Sequence, residues 1–565
     1  MKKLLLLTLV TIETLAVFAQ TNVPKREVRA VWLETVDKLD WPSSSSKTES
    51  AQKKELCDIL DNFAAANFNT ILFQAQARGD VAWISSIQPA MVEFTNNYSS
   101  ALPYDVAQFV IDECHKRCME CHATIIPYRL GTATRANSYK QTAKHPYKSH
   151  PELCVTYNNQ LYLDPGNPAT TEYLVELYRE LLSKYNFDGV SFDYCRYPGS
   201  AFDDAASYKA YNPEGLPKED WRRQNINSFI SAFYDMVQET NPHVKVGAAP
   251  IGTYTNLPGY GNATAYGSYY QDACQWVKNG DCHTLYPQMY WNETYGFTPN
   301  MATWVNNMEG RQFVVGLAAY KMVDGKNDWE ASDVTEQVDK VRKQEGTCGV
   351  CFFRAKNVLP GQGTKQTELY NLLKDNQFKY PAHIPTMEYK EVTLPGSPQN
   401  VTAALVNGQY QITWEKPDNA NENPIWYYCI YRENEGSADI DDITTAIIAK
   451  TQQTSVTVPA ISSNDTFSVT AFDMNNYESS PSTSSICDIT ADNAVTFTKT
   501  GNILEISAPD TINSVIITDI AGKTVLKLAP MTENASIDCN SLAAGTYFAK
   551  ISVENNREIV KKFIK

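Results

Sequence analysis

The chain has 565 residues, of which 43% are hydrophobic and 20% charged, with a formal net charge of −15. This composition can bury large cores and excludes a disordered chain, and the length exceeds one ordinary domain, so two to four are expected. So acidic a balance disfavours a nucleic-acid or anionic-membrane surface and suits a neutral or cationic partner.

Met1-Lys2-Lys3 followed by the apolar run Leu4 to Phe18 predicts a secretory signal peptide over residues 1–19, with Gln20 as first mature residue. An exported protein, periplasmic, surface-bound or released, follows from it. No later stretch reaches ~18 uninterrupted apolar residues, so no membrane span is expected. Thirteen cysteines are an odd number for an exported chain, leaving at least one free unless it pairs between chains. Cys114 and Cys118 read as positions i and i+4 of a helix, where Cys serves as a small apolar residue. Beside them and Cys121, no second closely spaced ligand pair is evident, so neither a metal nor a cofactor is expected.

From residue 25 onward, strand-like and helical patterns alternate. Strands are predicted at 28–33, 69–76, 122–129, 189–192, 244–250, within 283–291, at 313–320 and at 349–354. Helices are predicted over 53–67, 105–121, 170–185, 221–240, 271–279, 334–344 and 367–375, with a long insertion from Leu130 to about Leu163. Eight strand–helix units in order favour an α/β fold, a (β/α)8 TIM barrel over residues 25–380. A doubly wound sheet is the alternative, weakened because no glycine-rich phosphate loop follows the first strand.

Residues 381–398 read as a linker with Pro381, Pro385, Pro395 and Pro398. Short alternating strands follow over 399–488, the pattern of an all-β sandwich. Trp414-Glu415-Lys416-Pro417 and Thr470-Ala471-Phe472-Asp473 resemble a fibronectin type III domain, which is expected to act as a spacer. A second β-sandwich is predicted over 491–565. Its Gly545-Thr546-Tyr547 strand and basic, apolar tail Glu558 to Lys565 resemble the C-terminal sorting domain of the type IX secretion system of Bacteroidetes. That resemblance implies the secretion machinery as a partner, and a carbohydrate-binding module is the other reading of the segment.

In a TIM barrel, catalytic groups stand at the C-terminal ends of strands, and glycoside hydrolysis needs two carboxyl groups flanking the scissile bond. Asp193 ends the fourth strand, and Glu293 follows the sixth across the mouth; these are the predicted catalytic pair. Trp32, Glu34, Gln74, Gln76, Arg78, Arg129, Tyr194, Arg196, Gln288, Tyr290, Trp291 and Arg354 lie at or near other strand ends and are candidates for lining sugar subsites. Amide and guanidinium groups bind hydroxyls there, and rings stack on sugar faces. No Ser-His-Asp or Cys-His arrangement is evident.

Four motifs in order carry a further resemblance: Arg29-Ala30-Val31-Trp32 with Asp40-Trp41-Pro42-Ser43, Leu163 to Pro168, Phe187 to Tyr194, and Tyr286-Pro287-Gln288-Met289-Tyr290-Trp291. Together they resemble the glycosyl-hydrolase-like 10 family, TIM-barrel glycosidases of bacterial envelopes, one studied type of which hydrolyses denuded peptidoglycan strands. The resemblance implies a secreted or surface glycoside hydrolase acting on a carbohydrate polymer, with Asp193 in the family's catalytic position. The family's fourth-strand motif often reads Gly-Ile-His-Phe-Asp-Asp-Tyr. Here Ser191 replaces its His and one acid is missing, so a non-catalytic glycan-binding barrel is the alternative. Likeness to α-galactosidase-type barrels adds support for Asp193 with Glu293 at the level of fold only.

Overall fold

A computed structural model of the chain describes residues 24–387, 393–433, 446–462, 465–487, 496–519, 523–554 and 558–565. The predicted signal peptide and part of the predicted linker lie outside the described residues.

Eight parallel strands close into a barrel: β1 Val28–Leu33, β2 Thr70–Gln76, β3 Glu120–Ile125, β4 Gly189–Phe192, β5 Lys245–Ala248, β6 Thr284–Leu285, β7 Gln312–Leu317 and β8 Gly349–Phe352. Each pairs with its neighbours in sequence, and β8 closes on β1 through Val28 opposite Gly349. Helices Glu49–Ala65, Val106–His115, Pro168–Lys184, Lys218–Thr240, Ala273–Asn279, Phe297–Val305, Ala331–Lys343 and Thr364–Leu372 lie between and after the strands.

Successive side chains of a strand face opposite sides. On β1, Val31 and Leu33 therefore join the large core beneath the helices, while Val28, Ala30 and Trp32 fill the barrel interior with Leu72, Tyr286, Val314 and Cys351. Large inward residues need small neighbours. A Cβ on Gly189 would lie 2.6 Å from Nδ1 of His122, so β4 has glycine where β3 carries an inward imidazole.

Three expectations are corrected. The third strand spans 120–125 and not 122–129: Arg129 opens a separate strand, Arg129–Thr132, in a three-stranded sheet with Cys154–Tyr157 and Gln160–Leu163 built from the insertion. The helix before it ends at His115, and Cys118 stands beyond it with a left-handed φ of 53°. The β-sandwich after the barrel is also no spacer. Its two four-stranded sheets lie under the barrel's N-terminal end, and Trp426, Tyr427, Cys429, Tyr431 and Phe472 share one apolar cluster with the barrel interior.

Polar contacts reinforce that junction. His383 is fully buried, with Nδ1 2.9 Å from the Tyr427 hydroxyl and Nε2 2.9 Å from that of Tyr431. Arg26 donates to the carbonyl of Asn476 at 2.9 Å, and the Asn476 amide donates to Glu120 on the barrel floor at 2.8 Å. The final region is a six-stranded sheet organised on one long strand, Ile503–Asp519, with its own core of Leu504, Ile506, Val515, Ile517, Ile551 and Phe563. Among the described residues no helix is long and apolar enough to cross a membrane.

Candidate active site at the barrel mouth

The inward register of β1, Val28-Ala30-Trp32, continues to Glu34 just past the strand's end, so its carboxyl group faces the mouth. Two contacts fix that turn: the amide of Glu34 donates to Asp40 Oδ2 at 2.9 Å, and the amide of Asp40 donates back to the carbonyl of Glu34 at 2.9 Å. Asp40 is itself held by Arg354, whose Nη1 donates to Asp40 Oδ1 and to the carbonyl of Leu39, each at 2.6 Å. From β2, Gln74 accepts from the amides of Thr35 and Val36 through Oε1 and donates from Nε2 to Glu34 Oε2. The other oxygen of Glu34 is buried with no hydrogen-bond partner among the described residues.

Across the mouth, Asp193 directly follows β4. Its Oδ1 accepts from Gln288 Nε2 at 2.7 Å and from the amide of Tyr194 at 2.7 Å. The second bond is possible because Tyr194 turns into the left-handed region, φ 48°, a conformation sparsely used by large residues and concentrated at functional sites. Tyr194 is left 45% exposed, with the Arg196 guanidinium 4.3 Å from its ring centre. Trp32 floors the mouth, edge-on to Tyr286 and Phe353. Tyr290 packs against Tyr320 and Phe353 at one side.

The two acids differ electrostatically. Burial, and then the nearby charges of Asp193 and Asp40, push Glu34 well above the usual carboxylate range, with Arg354 opposing. Burial also raises Asp193, against the Arg196 charge and the two hydrogen bonds that favour its ionised form. Two buried carboxyl groups thus face one mouth, Glu34 raised well above its usual range and Asp193 raised against a nearby cation and two hydrogen bonds.

Several predicted residues are placed elsewhere. Glu293, the expected acid, stands on a short 3-10 turn with its carboxylate bound to Thr298 and Lys340, which hold it below the usual range; none of its contacts leads to Asp193. An acid so held stays ionised and is unsuited to protonate a leaving group. Gln76 faces the helices because an irregularity in the β2–β3 register between Gln74 and Gln76 reverses the alternation; its amide joins Tyr178 and Gln88. Arg78 is buried on Glu93 and Asp37, and Arg354 is committed to Asp40. Trp291 is half-buried, and its carbonyl accepts from Gln337 at 2.9 Å. The role of Asp40 as anchor was missed; its place in the first motif was the available signal.

A closed (β/α)8 barrel with carboxyl groups and aromatic residues at its mouth is the arrangement of the glycosidase-like class of TIM barrels. Residues 27–330 match the family described as Glycosyl hydrolase-like 10, and residues 500–565 match the Secretion system C-terminal sorting domain. The chain is 31% identical over 437 residues to Glycosyl hydrolase YngK of Bacillus subtilis, covering 72% of this chain and 83% of that one. It is 30% identical over 371 residues to Glycosyl hydrolase DigH of Escherichia coli K12, covering 60% and 84%. Among solved structures, the PgaB (BpsB) glycoside hydrolase domain from Bordetella bronchiseptica matches at TM-score 0.45 and 13% identity, covering 62% of this chain and 99% of that one. The chain belongs to the Glycosyl hydrolase-like 10 family. Its sorting domain marks it for export to the cell surface or beyond.

Proposed function

We propose that the protein is a glycoside hydrolase that cleaves O-glycosidic bonds of an extracellular polysaccharide, with glycan strands of peptidoglycan as the first substrate to test. Asp193 acts as nucleophile or general base, and Glu34 as the general acid in place of Glu293. The observation that carries this reading is the pairing of Glu34 with Asp193 at the ends of β1 and β4, each close enough for the charge of Asp193 to raise Glu34. Glu34 protonates the departing oxygen, while Asp193, aligned by Gln288 and the Tyr194 amide, attacks the anomeric carbon or activates water.

The test is reducing-sugar release from a panel of glycans, including amidase-treated peptidoglycan. Asp193→Asn and Glu34→Gln should each lower kcat by about 10²-fold or more, the scale of a lost general acid or base, at unchanged melting temperature. Release by wild type that survives both substitutions would move the chemistry elsewhere in the mouth. Sugar binding without release on any substrate would leave a non-catalytic glycan-binding barrel.

A further inference from the structure

The mouth holds two cations that form no ion pair among the described residues. Arg196 follows β4, and its guanidinium lies between the rings of Tyr194 and Tyr269, 4.3 and 4.6 Å from their centres. Arg129 opens the small sheet of the insertion, opposite Tyr162, and its recorded polar contact is one long bond, 3.3 Å, to the amide oxygen of Gln160. Both are half-buried. Among the described residues neither has a carboxylate within ion-pair distance, whereas Arg78 and Arg354 are each bound to acids.

The two follow neighbouring strands: Ile125 of β3 is paired with Phe192 of β4, and Arg129 and Arg196 each stand four residues past that pair. The hydroxyls of Tyr162 and Tyr194 accordingly sense both charges. A partly desolvated guanidinium with no hydrogen-bonded anion leaves donors to be satisfied, and two cations together repel each other. Stacking on rings holds the plane of Arg196 while leaving donors at its edge, the presentation that suits a bidentate grip on a planar carboxylate. In a chain of net charge −15, such a pair is a local reversal of sign beside the reacting carboxyl groups.

We infer that Arg129 and Arg196 form an anion subsite that selects a sugar bearing a carboxylate next to the scissile bond. The neutral or cationic partner expected from overall charge is thereby replaced by an acidic glycan. The inference rests on the glycosidase reading for its position in a reaction, and not for the binding itself.

The test compares amidase-stripped peptidoglycan strands with the same strands after chemical reduction of their carboxyl groups to alcohols. Wild type should show kcat/KM about tenfold or more higher on the native strands, the difference lying mainly in KM. Arg129→Gln with Arg196→Gln should erase that preference in binding, and Arg129→Gln alone, which leaves the charge near Asp193 in place, should weaken it while keeping turnover of reduced strands within a few-fold. Arg196→Lys, which keeps the charge near Asp193 but removes the fork, should lose part of the preference with the pH profile unchanged. Calorimetric binding of both strand forms to the full chain, carrying Glu34→Gln where the strands are cleaved, decides the matter independently of turnover. Tighter binding of native strands that vanishes in the double variant supports the subsite even if no strand is cleaved, which would sink only the glycosidase reading. Equal handling of native and reduced strands, or binding of neither, overturns it.

Discussion

Both Glu34 and Asp193 are shifted upward, and the roles proposed for them fix the sign of each pH effect. As general acid Glu34 has to hold its proton, so activity should fall as pH rises through its raised pKa. As nucleophile or base Asp193 has to be ionised, so activity should fall as pH drops through its own. Removing the Gln288 donor takes away a bond to the ionised form. Gln288→Ala should therefore move the acidic limb of the pH–rate profile upward by about one unit. An unmoved limb would detach Gln288 from Asp193. Glu293→Gln supplies the contrast: its carboxylate is bound to Thr298 and Lys340 outside the mouth, and the variant should keep kcat/KM within about twofold of wild type. Asp193 could be read from its motif because an acid directly after a buried apolar strand has few structural uses. The choice between Glu34 and Glu293 could not. Each follows a strand, and only the contacts of Asp40, Gln74 and Lys340 separate an inward acid from a solvated one.

At the scale of elements, the segment after β2 carries an internal charge imbalance. Arg78 binds Glu93, which also accepts from the amide of Asp37 at 2.9 Å, while Asp80 accepts from the Val92 amide at 3.2 Å and has a buried oxygen without a partner among the described residues. Burial and the neighbouring Glu93 raise Asp80 to about 7, against the pull of Arg78. A carboxyl whose folded pKa lies above its unfolded value stabilises the fold below the unfolded value and loses that contribution as pH rises toward 7. Asp80→Asn should consequently be the more stable protein at pH 8, on the order of 1–3 kcal/mol, with the advantage shrinking toward pH 4. Urea unfolding at the two pH values measures it; equal stabilities at pH 8 would show that Asp80 ionises freely. The same segment explains the misplacement of Gln76. Strict alternation puts Gln74 and Gln76 on one face, and a single extra residue between paired positions turns the second away.

For the whole molecule, the sandwich is part of the barrel's floor. Glu120 accepts from Lys245 at 2.6 Å, sits 2.8 Å from His122 Nε2 and accepts from Asn476 of the sandwich at 2.8 Å. Lys245 and these bonds overcome burial and hold Glu120 down at about 2. A buried ion pair of this kind is stabilising only while its partners are complete. Asn476→Ala should cost about 1–3 kcal/mol, seen as a lower denaturant midpoint. A chain ending at residue 387 exposes Trp32's interior cluster from below and should unfold without the single sharp transition of one ending at residue 487. Matching transitions in the two chains would make the sandwich dispensable.

Strand order, the barrel, the all-β regions and the place of Asp193 at a strand end were determined by the sequence alone, because they rest on local periodicity and on motifs of adjacent residues. Which acids face the mouth, which arginines are bound to carboxylates and how the sandwich docks were decided by the tertiary structure. Each depends on groups tens to hundreds of residues apart, such as Glu34 with Gln74, Asp40 with Arg354, and Glu120 with Asn476. Whether a charged side chain is free to act depends on which opposite charge the fold brings beside it, and spacing along the chain does not carry that information.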